Sequence, residues 1–198
     1  MPRVGLNRKD LVAAAADLAD EIGFEHVTLA ALAKRFGVRD ASLYAHVRGL
    51  ADLREQVTLL ALDEWADKLG SAIAGRSGRA ALTAFADAYR HSATTQPGRY
   101  AATRAPLPPE LAAQSSGVAR IIEACYALLR GYDLPEPDAT DAVRLLRSTF
   151  HGFSDLQLAG GFTADRDIDT SWRRAIDAIH HTLTAWSEHS TQTGDTDA

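Results

Sequence analysis

Apolar residues recur along this chain at helical spacing. Leu11, Ala15, Leu18 and Ile22 stand at i, i+4, i+7 and i+11, the stripe of a helix over about Arg8–Ile22 that Gly23 ends. Leu29, Leu32, Ala33 and Phe36 share one face of a second helix behind Thr28, a good N-cap, and Gly37 follows it. A short third helix is predicted over about Arg39–His46. A long fourth runs over about Leu50–Ile73, where Asp52 suits the helix dipole and Gly70, Gly75 and Gly78 interrupt the pattern. Further helices are expected at about 79–95, 110–130, 138–159 and 169–188, with Pro97, the trio Pro106, Pro108 and Pro109, and the pair Pro135 and Pro137 at boundaries. β-Branched runs are absent and no period-two alternation persists, so the fold class is all-α.

The glycine-punctuated start separates a three-helix domain over residues 1–49 from a helical body over 50–189. The polar tail over 190–198 is expected to be flexible. Apolar residues make up 46% of the 198, enough for a sizeable core. The single cysteine, Cys125, excludes an intrachain disulfide and fits a reducing cytoplasm, where it reads as a small buried hydrophobe. No stretch reaches the ~18 apolar residues of a membrane span, and Met1–Asp10 is too polar for a secretory signal. A cytoplasmic protein without membrane contact is expected.

The net charge of −5 argues against nucleic acid until its distribution is considered. Residues 1–48 hold seven Lys or Arg against six Asp or Glu, whereas the rest holds 14 against 20. A mildly basic front precedes an acidic body. Enzyme signatures are missing: the chain has no HExxH, no pair of CxxC motifs, no GxSxG and no P-loop. His180 and His181 are adjacent and point apart on a helix. No catalysis, metal or cofactor is expected.

The informative stretch is Thr28–Leu53, TLAALAKRFGVRDASLYAHVRGLADL. Two short helices joined at Gly37 make a helix-turn-helix, in which the first braces and the second enters the major groove. Leu32, Ala33, Phe36, Val38, Leu43 and Val47 supply its small core. Arg39, Asp40, Ser42, Tyr44 and His46 are left outside, groups able to contact base edges or phosphates.

This pattern resembles the tetracycline-repressor (TetR) family: a first helix ending in Gly, a Thr-capped brace, Gly-Val, then Ser-Leu-Tyr-x-His-Val, over about residues 7–53. The resemblance implies a dimer with a ligand-binding body, acting on a palindromic operator in double-stranded DNA. It places Tyr44 and His46 on backbone phosphates, Arg39, Asp40, Ala41 and Ser42 toward the bases, and Thr28 at the brace cap and a phosphate. Leu50 stands where members often carry a phosphate-reaching Lys, and Arg48 is the substitute nearby. Asp40 fits as an acceptor from cytosine or as a partner for Arg39.

In the body, Phe150-His151-Gly152-Phe153 resembles the C-terminal domain type with a Trp-His-Gly signature, Phe150 replacing the tryptophan. His151 and Asp155 are one turn apart and can pair. Trp65, Phe85, Tyr89, Tyr126 and His151 are the candidate pocket for an unknown small-molecule effector. Trp172, Ile176, Ile179, Leu183 and Trp186 form a coiled-coil-like seam. With Val143, Leu146, Phe150 and Phe153 they suggest a four-helix homodimer interface, though such stripes also serve as interior core. The sequence therefore reads as a DNA-binding transcriptional regulator, a repressor released when ligand swings the long fourth helix like a pendulum. A helical ligand-binding or adaptor protein without sequence-specific DNA binding is the alternative.

Overall fold

The computed structural model describes the backbone over residues 6–194 and side chains over residues 6–187. Helices follow in the order α1 (Arg8–Ile22), α2 (Leu29–Phe36), α3 (Leu50–Ile73), α4 (Gly78–Thr95), α5 (Pro97–Ala102), α6 (Pro109–Gln114), α7 (Ser116–Leu129), α8 (Asp138–Leu158) and α9 (Ile168–Gly194). Short 3₁₀ turns cover Phe24–His26, Asp40–Ala45 and Arg130–Tyr132, and no strand occurs among the described residues.

The helix ends follow local chemistry. Asn7 Oδ1 accepts from the Asp10 amide at 2.9 Å and starts α1. At the other end, the Gly23 amide donates to the Ala19 carbonyl. Thr28 Oγ1 caps α2 by accepting from the Ala31 amide at 3.1 Å. Gly37 closes α2 in the left-handed region (φ +64°), where glycine carries no Cβ penalty. The third helix of the front domain is a 3₁₀ segment rather than the expected α-helix. The single helix expected over 110–130 is broken at Ser115 into α6 and α7. A further helix, α5, begins with Pro97 at its first position, so that proline opens a helix where the sequence showed only a boundary. α9 continues past Ser190 to Gly194, through part of the stretch expected to be a flexible tail, while residues 195–198 lie outside those described.

Two compact units emerge. The first joins the described residues up to Ala66 with Thr95–Ala119, and the second joins Asp67–Thr94 with Arg120 onward. The sequence boundary at residue 49 thus falls between elements, not between compact units. The core of the first unit is Leu11, Ala15, Ala19, Phe24, Leu32, Ala33, Leu43, Val47, Leu53 and Val57, with Ala102 from α5. The start of α3 is therefore part of the first unit, because Leu53 and Val57 complete its core.

In the second unit Leu82 and Phe85 of α4 are buried, Phe85 meeting Phe150 of α8 at 6.2 Å, and Trp172 of α9 donates from Nε1 to Asp87 at 2.8 Å. Most of the expected dimer seam faces inward. Leu146, Phe150, Trp172, Ile176, Ile179 and Leu183 are all buried within the chain itself. Phe153 is half-buried, its ring meeting those of Trp172 (4.9 Å) and Phe162 (4.8 Å) at a tilt, and Val143 and Trp186 are also half-buried. A heptad-like spacing specifies a buried face without saying which chain buries it, and here α8 and α9 bury most of that face in their own unit. The opposite face of α8 carries Leu145, Ser148, Gly152 and the exposed Leu156. A Cβ added at Gly152 would meet nothing.

Candidate nucleic-acid interface

The recognition segment is held from below and open above. Leu43 is fully buried and Val47 nearly so, anchoring the 3₁₀ turns on Leu32 and Ala33 of the brace. A 3₁₀ helix has three residues per turn, so side chains three apart align in rows. One row runs Asp40, Leu43, His46 and dips into the core at Leu43. The other two, Arg39–Ser42 and Ala41–Tyr44, are exposed along their length, and the Tyr44 ring is 58% exposed. The segment's own bonds, Ser42 amide to Arg39 carbonyl and His46 amide to Leu43 carbonyl, keep these rows in register.

Thr28 and Asp40 are also exposed, and His46 is half-buried. Arg48 is 84% exposed and only loosely paired with Asp52 at 3.4 Å, which leaves it able to reach a phosphate. No ion pair joins Asp40 to Arg39 among the described residues, so Asp40 is a free acceptor at the head of its row. Leu50 is half-buried against the core of this unit, which explains a leucine at that position: it packs.

Asp52 is the residue whose role the sequence understated. Only 5% exposed, it accepts from the Arg48 amide at 2.9 Å and from Arg8 at 3.0 Å, tying α1 and the loop after the recognition segment to the first turn of α3. Burial raises its carboxyl, but the Arg48 amide and the charges of Arg8 and Arg48 outweigh burial and hold it below the ordinary 3.8. A carboxylate lowered on folding stabilises above its unfolded value and loses that contribution as pH falls through the folded one. The first unit should therefore weaken below about pH 4. Asp52→Asn should cost about 2 kcal/mol at neutral pH and reduce that acid sensitivity, as denaturant titrations at pH 7 and pH 3.5 will show.

Arg99 organises the other side of the unit. Lying in α5 and 12% exposed, it bonds Asp17 at 2.7 Å, Glu64 at 2.9 Å and Asp20, the last through both its backbone amide and its guanidinium. Three helices, α1, α3 and α5, meet in this one side chain. Beside it Gly98 lies directly against the α1 backbone: a Cβ there would overlap the Ala19 carbonyl and the Asp20 amide. Nothing local in the sequence marks Arg99, because its partners lie 35 to 82 residues away.

None of the five aromatic and imidazole residues expected to form a pocket lines the cleft described below. Trp65 belongs to the first unit and stacks on Tyr100 at 5.2 Å. Phe85 and Tyr89 pack on Phe150, Tyr126 hydrogen-bonds Thr140 at 3.1 Å, and His151 is half-buried on α8. A polar cleft of about 260 Å³ lies in the second unit, lined by Asp87, Arg90, His91, Thr94, Gln157 and Asp169.

Comparison with known proteins agrees with this geometry. Residues 11–57 match the model of bacterial regulatory proteins of the tetR family, and residues 82–179 match that of the tetracyclin repressor-like C-terminal domain. An uncharacterized HTH-type transcriptional regulator of Bacillus subtilis, YobS, is 34% identical over 167 residues, covering 84% of this chain and 87% of its own. Another, Rv0681 of Mycobacterium tuberculosis, is 37% identical over 169 residues, covering 83% and 75%. The fold is also that of a TetR variant from Acinetobacter baumannii solved in complex with minocycline (TM-score 0.67, 20% identity, 90% of this chain and 96% of that one). A capped brace, a recognition segment open on two rows and relatives that match over most of their length lead to one conclusion: the chain belongs to the TetR family of transcriptional regulators and is a DNA-binding protein of that family.

Proposed function

We propose that this regulator is a repressor that binds a palindromic operator as a homodimer and leaves it when a small molecule occupies the second unit. The observation that carries the reading is the pair of exposed rows, Arg39–Ser42 and Ala41–Tyr44, on a segment whose third row is locked in the core. A reading element must present polar groups rigidly, and this one does. In this reading Arg39, Asp40, Ala41 and Ser42 face the bases, while Tyr44, His46, Arg48 and Thr28 hold the backbone.

A two-fold dimer suits a palindrome, each recognition segment entering a major groove about 34–36 Å from the other. The partner packs on the outward face of α8, Leu145, Ser148, Gly152 and Leu156. It also packs on the small-residue flank of α9, Ser171, Ala175, Ala178 and Thr182, where a second helix can approach closely. That a relative of the same fold was solved with minocycline bound supports a small-molecule effector. The chain passes between the units within α3, at the end of α4 and within α7, and these are the covalent routes by which that effector is felt. Because the start of α3 shares its core with α1 and α5, the first unit shifts as one body in place of a single swinging helix. A tenfold loss of DNA affinity needs ~1.4 kcal/mol of coupling, within the usual ~1–3 kcal/mol. The protein works this way in the cytoplasm, without catalysis, metal or cofactor.

Footprinting on the DNA flanking its own gene tests the reading. Two protected patches on one face, one helical turn or a multiple apart, are expected. A single patch, or uniform weak protection, contradicts the dimer on a palindrome.

A further inference from the structure

The polar cleft of the second unit carries information about its ligand. Four of its lining residues, Asp87, Arg90, His91 and Thr94, come from α4, with Gln157 from α8 and Asp169 from α9. Its volume of about 260 Å³ lies just under that of pockets for drug-sized molecules, ~300–1,000 Å³. Such pockets are mostly apolar, whereas no aliphatic or aromatic residue lines this one. A large apolar effector has nothing here to bury against.

Arg90 is the fixed point. It is 15% exposed, and its guanidinium lies over the rings of Phe153 (5.7 Å) and Trp172 (5.5 Å). Nε donates to Gln157 at 2.7 Å and one terminal nitrogen pairs with Asp169 at 2.8 Å. A guanidinium has five N–H donors in a rigid fork. Among the described residues nothing accepts from its second terminal nitrogen, and nothing accepts from the Gln157 amide nitrogen either. Two neighbouring side chains thus hold a donor edge in place by stacking and bonding, before any ligand arrives.

Asp87 is fixed in the same way. Trp172 Nε1 donates to one of its oxygens at 2.8 Å, and the other is left as an acceptor in the cleft. With Asp169 and Arg90 the lining carries one excess negative charge. A simple anion would meet Arg90 against two carboxylates, and a simple cation would leave the donor edge of Arg90 unpaired. A molecule carrying both charges satisfies both ends.

We propose that this cleft binds a small zwitterion, its carboxylate on the Arg90–Gln157 edge and its ammonium on Asp87, with α-amino acids the simplest members of the class. The proposal rests on the reading of the second unit as the effector-binding part and names what that part recognises.

Calorimetric titration of the full chain with individual L-α-amino acids tests it. Each is run beside its amide, which lacks the carboxylate, and its N-acetyl derivative, which lacks the ammonium. At least one amino acid should bind one per chain, with affinity tenfold or more lower for both blocked forms. Asp87→Asn should weaken binding about tenfold at unchanged shape, and Arg90→Lys, which keeps the charge and the stem but loses the fork, should do the same. No binding by any amino acid, equal binding of the blocked forms, or wild-type affinity in both variants overturns the proposal. Release of DNA is read separately on the same samples. Binding without release upholds the zwitterion site and contradicts its role as effector site. Release by an apolar compound that acts equally on both variants places the effector site elsewhere and contradicts the cleft's role as effector site.

Discussion

Gly98→Val should cost roughly 3 kcal/mol or more in the stability of the first unit. The side chain would be driven into the Ala19 carbonyl and the Asp20 amide, which are backbone atoms of α1 and cannot swing aside as a flexible side chain can. α5 must then lift off α1, and two other features lift with it. Ala102, fully buried in the same core, loses its cover, and the Arg99 amide moves away from Asp20. For a chain of this length, 3 kcal/mol corresponds to a fall of about 6–12 °C in melting temperature. Thermal unfolding followed by circular dichroism reads this directly. Gly70→Ala, inside α3 where an added methyl meets nothing within 4 Å, should change it little or raise it slightly through better helix propensity.

Arg99→Met is the second large effect. Methionine keeps most of the aliphatic stem and removes the charge, leaving Asp17, Asp20 and Glu64 facing one another across α1 and α3. Removing one partner from a fully buried ion pair costs about 3–5 kcal/mol. Asp17 is 54% exposed and Glu64 35%, so solvent screens the orphaned charges and about 2 kcal/mol is the expected loss. The exposed pair Arg144–Asp141 provides the contrast: Arg144→Met should change stability by less than about 0.5 kcal/mol. Urea titration of both variants checks the difference. Loss at Arg99 should also separate α5 from α1, so ligand titrations should show weaker coupling to DNA even where the DNA-binding surface is untouched.

These two positions mark where the sequence stopped being informative. α1, α2 and α3 were legible because their signals are local: an apolar stripe, a Thr cap, a glycine in the left-handed region. The exposed residues of the recognition segment were legible for the same reason, since Leu43 and Val47 had to point inward and the others could not. That the segment winds as a 3₁₀ helix was not legible, because Asp40–Ala45 carries no residue that prefers three residues per turn to 3.6. α5 was hidden by Pro97, which starts a helix as readily as it ends one. The seam on α8 and α9 was read as a dimer interface, whereas most of it is buried within its own unit, because periodicity reports burial but not the identity of the partner. Arg99, Asp52 and the Arg90 cleft depend on side chains brought together from distant segments, and spacing along the chain is blind to them.

The central claim is that the exposed rows of residues 39–44 read duplex DNA. It is tested most directly by titrating wild type and Tyr44→Ala against DNA flanking the gene, at two salt concentrations. Tyr44 is 58% exposed and contributes no core contact, so the variant should fold as wild type does. Tight wild-type binding that falls steeply with salt, and falls about tenfold or more in the variant, is the predicted result. Equal binding by the two folded proteins, or binding indifferent to salt, would contradict the account.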